Sequence, residues 1–551
     1  MIVKKIFLLL ALSSFAFAQV VYEPLHRDVY KFLSRLSQKS VIVFDDQIRP
    51  VSRKYIAQKL IEASEKSEQL TSMEKEELEF YSRDFKFEFD IINNIKIDSS
   101  QITIAGYDAG DRLRLFSYRN NFFSLNLSPI LGYKAGSLDD EKLTHFWNGL
   151  YTYGYIDKYI GYSFDFRDNT ETGNTIDKTK EFTPVTGVEA KSSLTAPNYA
   201  LDKMEYSESR AVLATDWSWG SFAVGKDFLE WGYSESGFLV LSQKPPSYGF
   251  IRLDVKPVDW LKFNYAHGWL SSSVIDSNSI FYNSAGTISY SFIDKFIATH
   301  SLIITPVSGL DVSIGESIIY DEEIEFLYLV PIMFFRLADY LISEQSNDAG
   351  GNAQFFLGVS SKGQIKNTHL YGTLFIDEIS LNGLFDPETQ RYQLGFTLGG
   401  SITDLPFENI TAKIEYTKVY PSLYEHYIQT SDYKSSDYIL GHWMGQNGDL
   451  IYASLNYRIL RGLQATVWGQ YIRKGDDVNI QQQYNAKPQP PFLFGLRKNY
   501  GYLGAEIKYE YTHELFAKLN FQTTNSSIQQ EDLSFIDTTL NEFYFSVYYG
   551  L

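Results

Sequence analysis

The sequence predicts an all-β transmembrane protein, an antiparallel outer-membrane β-barrel of about 18 strands with a small N-terminal helical bundle. Three observations favour this class. The chain of 551 residues contains 41 Tyr and 40 Phe, yet its mean hydropathy is −0.21. Apolar and polar residues alternate over runs of about 9 to 11 residues, which is the length of a tilted membrane-crossing strand. Short turns and long polar segments alternate between these runs.

The alternative class is a large secreted all-β protein, such as a propeller or a sandwich. A propeller is disfavoured because the sequence shows no repeat with a period of about 20 to 50 residues. The alternation of short and long connections is typical of outer-membrane barrels, which have short turns on one side of the membrane and long loops on the other. We therefore expect the protein in the cell outer membrane.

Residues 1–18 have the features of an export signal. Two lysines precede an apolar run, and Ala16-Phe17-Ala18 matches the small-x-small pattern of a cleavage site. We expect the mature chain to start at Gln19, and the absence of Cys after Ala18 argues against a lipid anchor. The alternative is an N-terminal membrane anchor, which is disfavoured because the apolar run is shorter than the ~20 residues of a spanning helix.

The charge and composition exclude several function classes. A formal net charge of −18 disfavours nucleic acid as a partner, because nucleic-acid binding requires a basic face. The chain has no Cys, so it has neither disulfides nor a thiolate metal site. Its 8 His lack metal-site spacing, and no G-x-S-x-G or phosphate loop occurs. We expect no metal, no cofactor, no catalytic residue and no enzyme activity, with a Ser–His pair on adjacent strands as the alternative.

Residues 19–84 predict a small helical domain on the periplasmic side. After Pro24, apolar residues recur with helical spacing. Ser52 is a cap for a second helix, and Thr71 with Glu74 forms a capping box for a third. Because short amphipathic helices are marginal alone, we expect the three to pack as one unit.

Residues 85–551 are predicted to form the barrel. From Phe85 the apolar period changes to two, so residues 85–91 are the first predicted strand. The same alternation recurs at 410–417, 503–511 and 515–522. Short turns are predicted at 257–259, 461–462 and 512–514, and long polar loops at 169–207, 420–449 and 474–500. The last strand should present Phe543, Phe545, Val547, Tyr549 and Leu551 to lipid.

One apolar stretch stands apart from this pattern. Residues 326–335 are the densest apolar run of the mature chain, and Pro331 interrupts them. The run is too short for a transmembrane helix.

The segment Gly225–Ser242, its continuation Tyr248–Leu253 and the turn Lys256–Trp260 resemble the Wzi capsule-assembly family. In that family a glycine and then a Trp-Gly stretch lead into a Leu-x-Leu-Ser strand and an arginine-bearing strand. Further similar stretches are Pro50–Ala57 with Leu70–Glu74, and Pro331–Arg336 with Asn347 and Asn352. The likeness follows nearly the whole chain in order. At position 551, however, the sequence has Leu where a terminal aromatic residue is more usual for outer-membrane barrels.

The resemblance implies an 18-stranded barrel with a periplasmic-side helical bundle and a lectin-like role. The protein would bind and anchor exported capsular or exopolysaccharide at the cell surface. The implied partners are this polysaccharide and outer-membrane lipid, with the polysaccharide export machinery as a further candidate. The alternative function is an outer-membrane channel or porin for small solutes. In a third hypothesis the helical unit contacts peptidoglycan, since its Ser52-Arg53 helix resembles S-layer-type cell-wall modules.

Five residues are candidates for glycan binding: Glu230, Trp231, Tyr233, Arg252 and Arg336. The aromatic pair can stack on sugar rings, and the charged residues can bind hydroxyls or acidic sugars. In the alternative, Trp231 fills the barrel interior at a tight turn and Glu230 pairs with Arg252.

Two further groups have open roles. A Tyr-rich loop is a second candidate surface, with an aromatic belt or loop packing as the alternative; it contains Tyr420, Tyr424, Tyr427, Tyr433, Tyr438 and Trp443. The predicted lumen charges either line a channel or neutralise one another in a plugged barrel; they are Lys413, Glu415, Glu506 and Lys508.

Overall fold

The computed structural model describes residues 18–188, 198–200, 202–343, 350–379, 392–479, 486 and 488–550. The predicted signal peptide, residues 1–18, lies outside this part except for Ala18, and so do Asn347 and Leu551.

Eighteen long antiparallel strands in the described residues close into one barrel, which confirms the predicted fold class. Each strand pairs with its neighbours in sequence, and β18 closes the barrel on β1 between Tyr549–Leu131 and Glu542–Leu138. The strands are β1 Phe123–Leu138, β2 Glu141–Ile156, β3 Ile160–Thr172, β4 Lys203–Trp217, β5 Gly220–Asp227, β6 Tyr248–Val258, β7 Leu261–Ile275, β8 Phe292–Val307, β9 Leu310–Asp321, β10 Asn352–Lys362, β11 Thr368–Ile379, β12 Tyr392–Thr403, β13 Ile410–Val419, β14 Gly448–Leu460, β15 Leu463–Lys474, β16 Lys498–Thr512, β17 Leu515–Gln529 and β18 Phe535–Tyr549.

The two faces of the wall follow the alternation of the sequence. Successive side chains of a strand point to opposite faces, so apolar residues at every second position form an outer band. Leu503 and Ile507 of β16 are exposed on this band, whereas Lys508 points inward and is buried. Phe543, Phe545 and Val547 are exposed on the outer face of β18, as predicted. Tyr549 is instead buried, and its hydroxyl donates to the carbonyl of Leu113. Leu113 belongs to a hairpin, Gln101–Tyr107 with Leu113–Arg119, that precedes the barrel strands.

The two ends of the barrel differ in their connections. One end, called the short-turn end, has tight turns such as 259–260, 461–462 and 513–514. The other, called the long-loop end, has connections that include 173–202, 228–247, 276–291, 322–351, 420–447 and 475–497. The predicted short turns and long loops are therefore confirmed to within a few residues.

The N-terminal unit contains four helices: α1 Val29–Gln38, α2 Arg53–Glu65, α3 Ser72–Asp84 and α4 Lys86–Ile92. Both predicted caps are confirmed. The Ser52 hydroxyl accepts from the Tyr55 N–H at 3.1 Å, and Thr71 and Glu74 form a reciprocal capping box. A fifth helix, α5 Phe335–Ser343, follows β9. None of the helices in the described residues has the length and apolar character to span a membrane.

The predicted strand at residues 85–91 is wrong, because these residues enter α4. Phe85 is buried in the core of the helical unit, and the Arg53 guanidinium lies 4.2 Å from its ring centre. Arg53 also pairs with Glu88 at 2.7 Å. These contacts override the local alternation, and the first barrel strand begins only at Phe123. A hairpin, Gln101–Tyr107 with Leu113–Arg119, lies between them.

A buried ion network fixes the helical unit to the short-turn end. Glu514, in the turn between β16 and β17, contacts Arg27 at 2.7 Å and Arg112 at 2.5 Å. Arg27 also contacts Asp84 at 2.6 Å. Burial by itself would raise the pKa of Glu514, but Arg112 and Arg27 lower it to about 2. The carboxylate therefore stays ionised and joins barrel and helices through buried ion pairs.

Candidate functional site in the barrel lumen

The lumen is filled by a plug that is built from both ends of the barrel. Loop 228–247 enters from the long-loop end and meets the N-terminal unit. Glu230–Trp231 pairs antiparallel with Ile48–Arg49 as two short strands. The Gly232 N–H also donates to the carbonyl of Gln47 at 2.8 Å. Three of the predicted site residues, 230, 231 and 233, therefore lie on a loop that is held inside the lumen.

Glu230 and Trp231 have internal partners. The Trp231 side chain is 2% exposed and contacts the Phe356 ring edge-on at 6.3 Å. Glu230 pairs with Arg49 at 3.2 Å and accepts from the Gln243 amide at 2.6 Å. The Trp231 ring thus fills the barrel interior, as the alternative to glycan binding predicted.

Arg252 and Tyr233 are also buried. Arg252 of β6 donates to the Pro50 carbonyl at 2.9 Å and pairs with Asp254 at 2.9 Å, whereas Glu230 pairs with Arg49. The pair of Glu230 with Arg252 that the alternative supposed is therefore wrong. The Lys362 ammonium lies 4.6 Å from the Tyr233 ring centre. Glycan contact by these four side chains stays a prediction. Tyr233 lines the cavity described below, whereas contact by the other three would require the plug to open.

Arg336 is separated from the other four candidates. It lies on α5, its side chain is 61% exposed, and its nearest charged partner is Asp339 at 3.8 Å. The structure therefore places Glu230, Trp231 and Tyr233 in the plug and Arg252 on the wall strand β6, in contact with Pro50 of the plug. It leaves Arg336 elsewhere.

The Tyr-rich loop 420–447 packs into the same plug. Tyr424 donates to the Leu239 carbonyl at 2.8 Å, and Tyr433 donates to that of Val240 at 2.9 Å. The Trp443 indole N–H donates to the Ser236 carbonyl at 2.5 Å. These rings are buried, which agrees with the loop-packing alternative.

The lumen charges are neutralised mainly by the plug. Glu415 of β13 accepts from the backbone N–H groups of Glu235 at 2.8 Å and Ser236 at 2.9 Å. Lys413 pairs with Glu235 at 2.7 Å. On β16, three strands away, Lys508 pairs with Asp28 of the helical unit at 2.6 Å. Lys413, Glu415 and Lys508 thus hold the plug. Glu506 instead lies 3.6 Å from Lys518 of the neighbouring strand β17.

A cavity of about 420 Å³ remains between the helical unit and the wall formed by β11 to β16. Trp468 and Tyr452 line it as half-buried rings, with centroids 6.5 Å apart and planes inclined by 26°. The Trp468 indole lies flat across Gly504, where a Cβ would overlap the ring. Glycine at this inward position therefore lets the indole lie flat against the wall of the cavity.

Polar groups surround these two rings. Asn456, Gln464, Glu506 and Lys31 line the same cavity. The Asn456 amide donates to Gln464 at 3.1 Å, and Lys31 is an exposed cation whose pKa is raised, chiefly by Asp28. Flat aromatic rings beside amides and charges can bind the apolar face and the hydroxyls of a sugar ring. Among the residues that the structure describes, no group of His, Asp and Glu could hold a metal ion.

The half-buried lining continues from this cavity towards the long-loop end. Inward-facing residues of β1, β16, β17 and β18 form this stripe: Lys134, Tyr502, Gln522, Glu542 and Tyr544. The Lys134 ammonium lies 3.6 Å from the Tyr544 ring centre, and the Gln522 amide donates to Glu542 at 3.4 Å. Sequence reasoning missed the cavity and the stripe, although alternating Tyr, Trp and amide residues at inward positions carry the signal.

No family model matches the chain, and no curated protein matches its sequence. Its fold is similar to that of Wzi, an outer membrane protein involved in group 1 capsule assembly in Escherichia coli and a carbohydrate-binding β-barrel. The TM-score is 0.55 at 12% identity, over 97% of this chain and 100% of Wzi.

Weaker likenesses include OccAB4 of Acinetobacter baumannii, with TM-score 0.42, 10% identity and coverage of 78% and 97%. Another is the outer membrane protein OprD of Pseudomonas aeruginosa, with TM-score 0.41, 13% identity and coverage of 78% and 94%. Of these three likenesses, the one to Wzi has a TM-score above 0.5, and at 12% identity it concerns the fold. The chain is a closed eighteen-stranded barrel with the overall fold of Wzi.

Proposed function

We propose that this protein is an outer-membrane barrel that binds carbohydrate and anchors an exported capsular or exopolysaccharide at the cell surface. The observation that carries the proposal is the half-buried aromatic and polar lining at Trp468, Tyr452 and Asn456. A flat indole offers a sugar ring an apolar platform, and neighbouring amides and charges can bind its hydroxyls. The fold likeness to a carbohydrate-binding barrel supports the same class of ligand.

The orientation follows the usual rule for such barrels. Short turns face the periplasm and long loops face outward. In this orientation the helical unit lies on the periplasmic side, where the export machinery is a candidate partner. The stripe from Trp468 to Tyr544 would then lead from the cavity to the cell surface.

The plug argues against the channel alternative and for binding rather than solute flux. Loops 228–247 and 420–447 bury their apolar residues against the N-terminal unit inside the lumen. Wall residues such as Glu415 and Lys413 are engaged by this plug. A chain with this interior should conduct poorly in a planar bilayer. The proposal is of a binding protein and not of an enzyme.

The test compares cell-bound with released polysaccharide in cells that lack the gene. These cells carry either no copy of it or one of three versions. These are the native chain, Trp468→Ala and Val467→Ala, the last being a matched control because Val467 is exposed on the outer face of the same strand. We expect glycan to move to the medium at unchanged total in the deletion and with Trp468→Ala, but not with Val467→Ala. An unchanged ratio in the deletion, together with stepwise conductance of the pure protein, would favour the channel.

A further inference from the structure

The connection after β9 folds back over the outside of the barrel. We call residues 326–343 the strap. The faces of the wall here are set by Arg252 and Lys262, which point inward and contact Pro50 and Asp45 of the N-terminal unit. Residues an odd number of positions away in the same strands therefore point outward, as does Tyr265, three positions after Lys262.

The strap is bonded to this outer face. The Tyr265 hydroxyl donates to the Tyr328 carbonyl at 2.8 Å. The Glu316 carboxylate of β9 accepts the N–H groups of Phe335 at 2.8 Å and Arg336 at 2.6 Å, at the start of α5. An acidic group at this place pairs with two backbone N–H groups that the first turn of a helix leaves free.

Polar side chains of the outer wall lie beneath the strap. His267 bonds the Tyr320 hydroxyl at 2.7 Å, and His300 lies 3.7 Å from Glu316. Next to them, the outer wall exposes apolar residues such as Ile314 and Leu357. Bare polar groups on a lipid-facing wall would be costly, so a cover over these four polar side chains is required there.

The outer surface of the strap is apolar apart from the exposed side chain of Arg336. Between residues 326 and 343, Arg336 and Asp339 are the charged residues, and Asp339 is buried, accepting the Gly351 N–H at 2.6 Å. Ile332 is 82% exposed and Phe326 74% exposed. Also exposed are Phe334, Leu337, Tyr340 and Leu341. A contiguous apolar patch of this kind is unfavourable in water and marks a contact surface.

We propose that the strap lies in the lipid bilayer and that acyl chains cover its exposed apolar face. Continuity supports this occupant: the patch adjoins the outer band at Leu357 and Val359, which the barrel fold itself presents to lipid. The strap has the two faces of an interfacial amphipathic segment, with Phe335 and Ala338 buried against the wall. Glu316 anchors it to the barrel.

The absence of Cys in the chain permits a direct test with single-cysteine variants. Ile332→Cys and Leu337→Cys place a polarity-sensitive fluorophore on the strap. Leu503→Cys on the outer band and Asp259→Cys in a short turn are the lipid and water controls. Each variant is reconstituted in phosphatidylcholine vesicles and quenched either by brominated acyl chains or by iodide.

We expect both strap labels to follow Leu503→Cys, with several-fold stronger quenching by brominated lipid than the Asp259→Cys label shows and little quenching by iodide. Iodide quenching at the level of Asp259→Cys would overturn the proposal. Protection from both quenchers that grows with the protein-to-lipid ratio would also overturn it, because a second copy would then cover the patch.

Discussion

The Arg49 guanidinium lies 3.2 Å from the Glu230 carboxylate, at the point where the N-terminal unit and loop 228–247 meet inside the barrel. The adjoining residues Ile48 and Trp231 pair as strands. Segments separated by more than 180 positions in the chain thus meet at the centre of one plug. The two segments stabilise each other, because an unpaired charge at this buried position would be destabilising.

Glu230→Ala should loosen the plug, because it leaves Arg49 without its carboxylate. We expect a loss of about 2 to 4 kcal/mol in local stability, read as faster hydrogen exchange in residues 228–247. Lys256→Ala is the control, since its pair with Asp259 lies in solvent and should matter little. Equal exchange in the two variants would contradict the role assigned to the pair.

Gly504→Ala should impair carbohydrate binding without unfolding the barrel. The added Cβ would overlap the Trp468 indole and push the ring away from the wall. Gly501→Ala is the matched control on the same strand, where a Cβ would meet its nearest neighbours at 3.9 Å and 4.0 Å. We expect glycan retention to fall with Gly504→Ala, as with Trp468→Ala, and to persist with Gly501→Ala. Retention in all three variants would remove the cavity from the proposed binding site.

Acid should weaken the docking of the helical unit. His513 is buried in a short turn with its ring 3.8 Å from that of Phe80, and burial lowers its pKa to about 3. The unfolded chain takes up a proton below an ordinary pKa of about 6.5, whereas the folded chain does so only near 3. Stability is therefore lost as the pH falls through this window, by up to about 1.4 kcal/mol per pH unit.

His513→Phe should reduce this dependence. The apparent melting temperature of the full-length protein in detergent, measured from pH 7 to pH 4.5, should fall less steeply in the variant. The melting temperature of the variant should still fall somewhat with decreasing pH, because burial also lowers the pKa of His26. Glu514, whose pKa is about 2, acts in a lower window, since its stabilising charge is lost only between about 4.5 and 2. Parallel slopes for both chains above pH 4.5 would contradict the prediction.

Glu316→Ala should release the strap. The change leaves the N–H groups of Phe335 and Arg336 without their acceptor at the start of α5. We expect trypsin to cleave after Arg336 about tenfold faster in nanodiscs, measured by mass spectrometry. Ile314→Ala, two residues away on the same outer face, is the control. Cleavage at one rate in both variants would show that Glu316 is not the anchor.

The sequence predicted some parts of this molecule correctly and others wrongly for identifiable reasons. The Thr71–Glu74 capping box and the outward alternation of β16 were both predictable, since each depends on neighbours within a few residues. Residues 85–91 alternate as a strand does, yet Arg53 and the helical core draw them into α4. Trp231 is of a residue type that can stack on sugar rings, but in the structure it packs beside Ile48 and Phe356.

The sequence by itself determined the class of the fold, a strand number of about 18, the N-terminal helical unit and the alternation of short turns with long loops. These properties reside in period, caps and turn residues, which act locally along the chain. Only the tertiary structure decided that loop 228–247 turns inward, that Trp468 lines a cavity and that the strap covers the outer wall. Each of these depends on contacts between residues that are distant in sequence, and local patterning does not encode which distant surface a loop will meet.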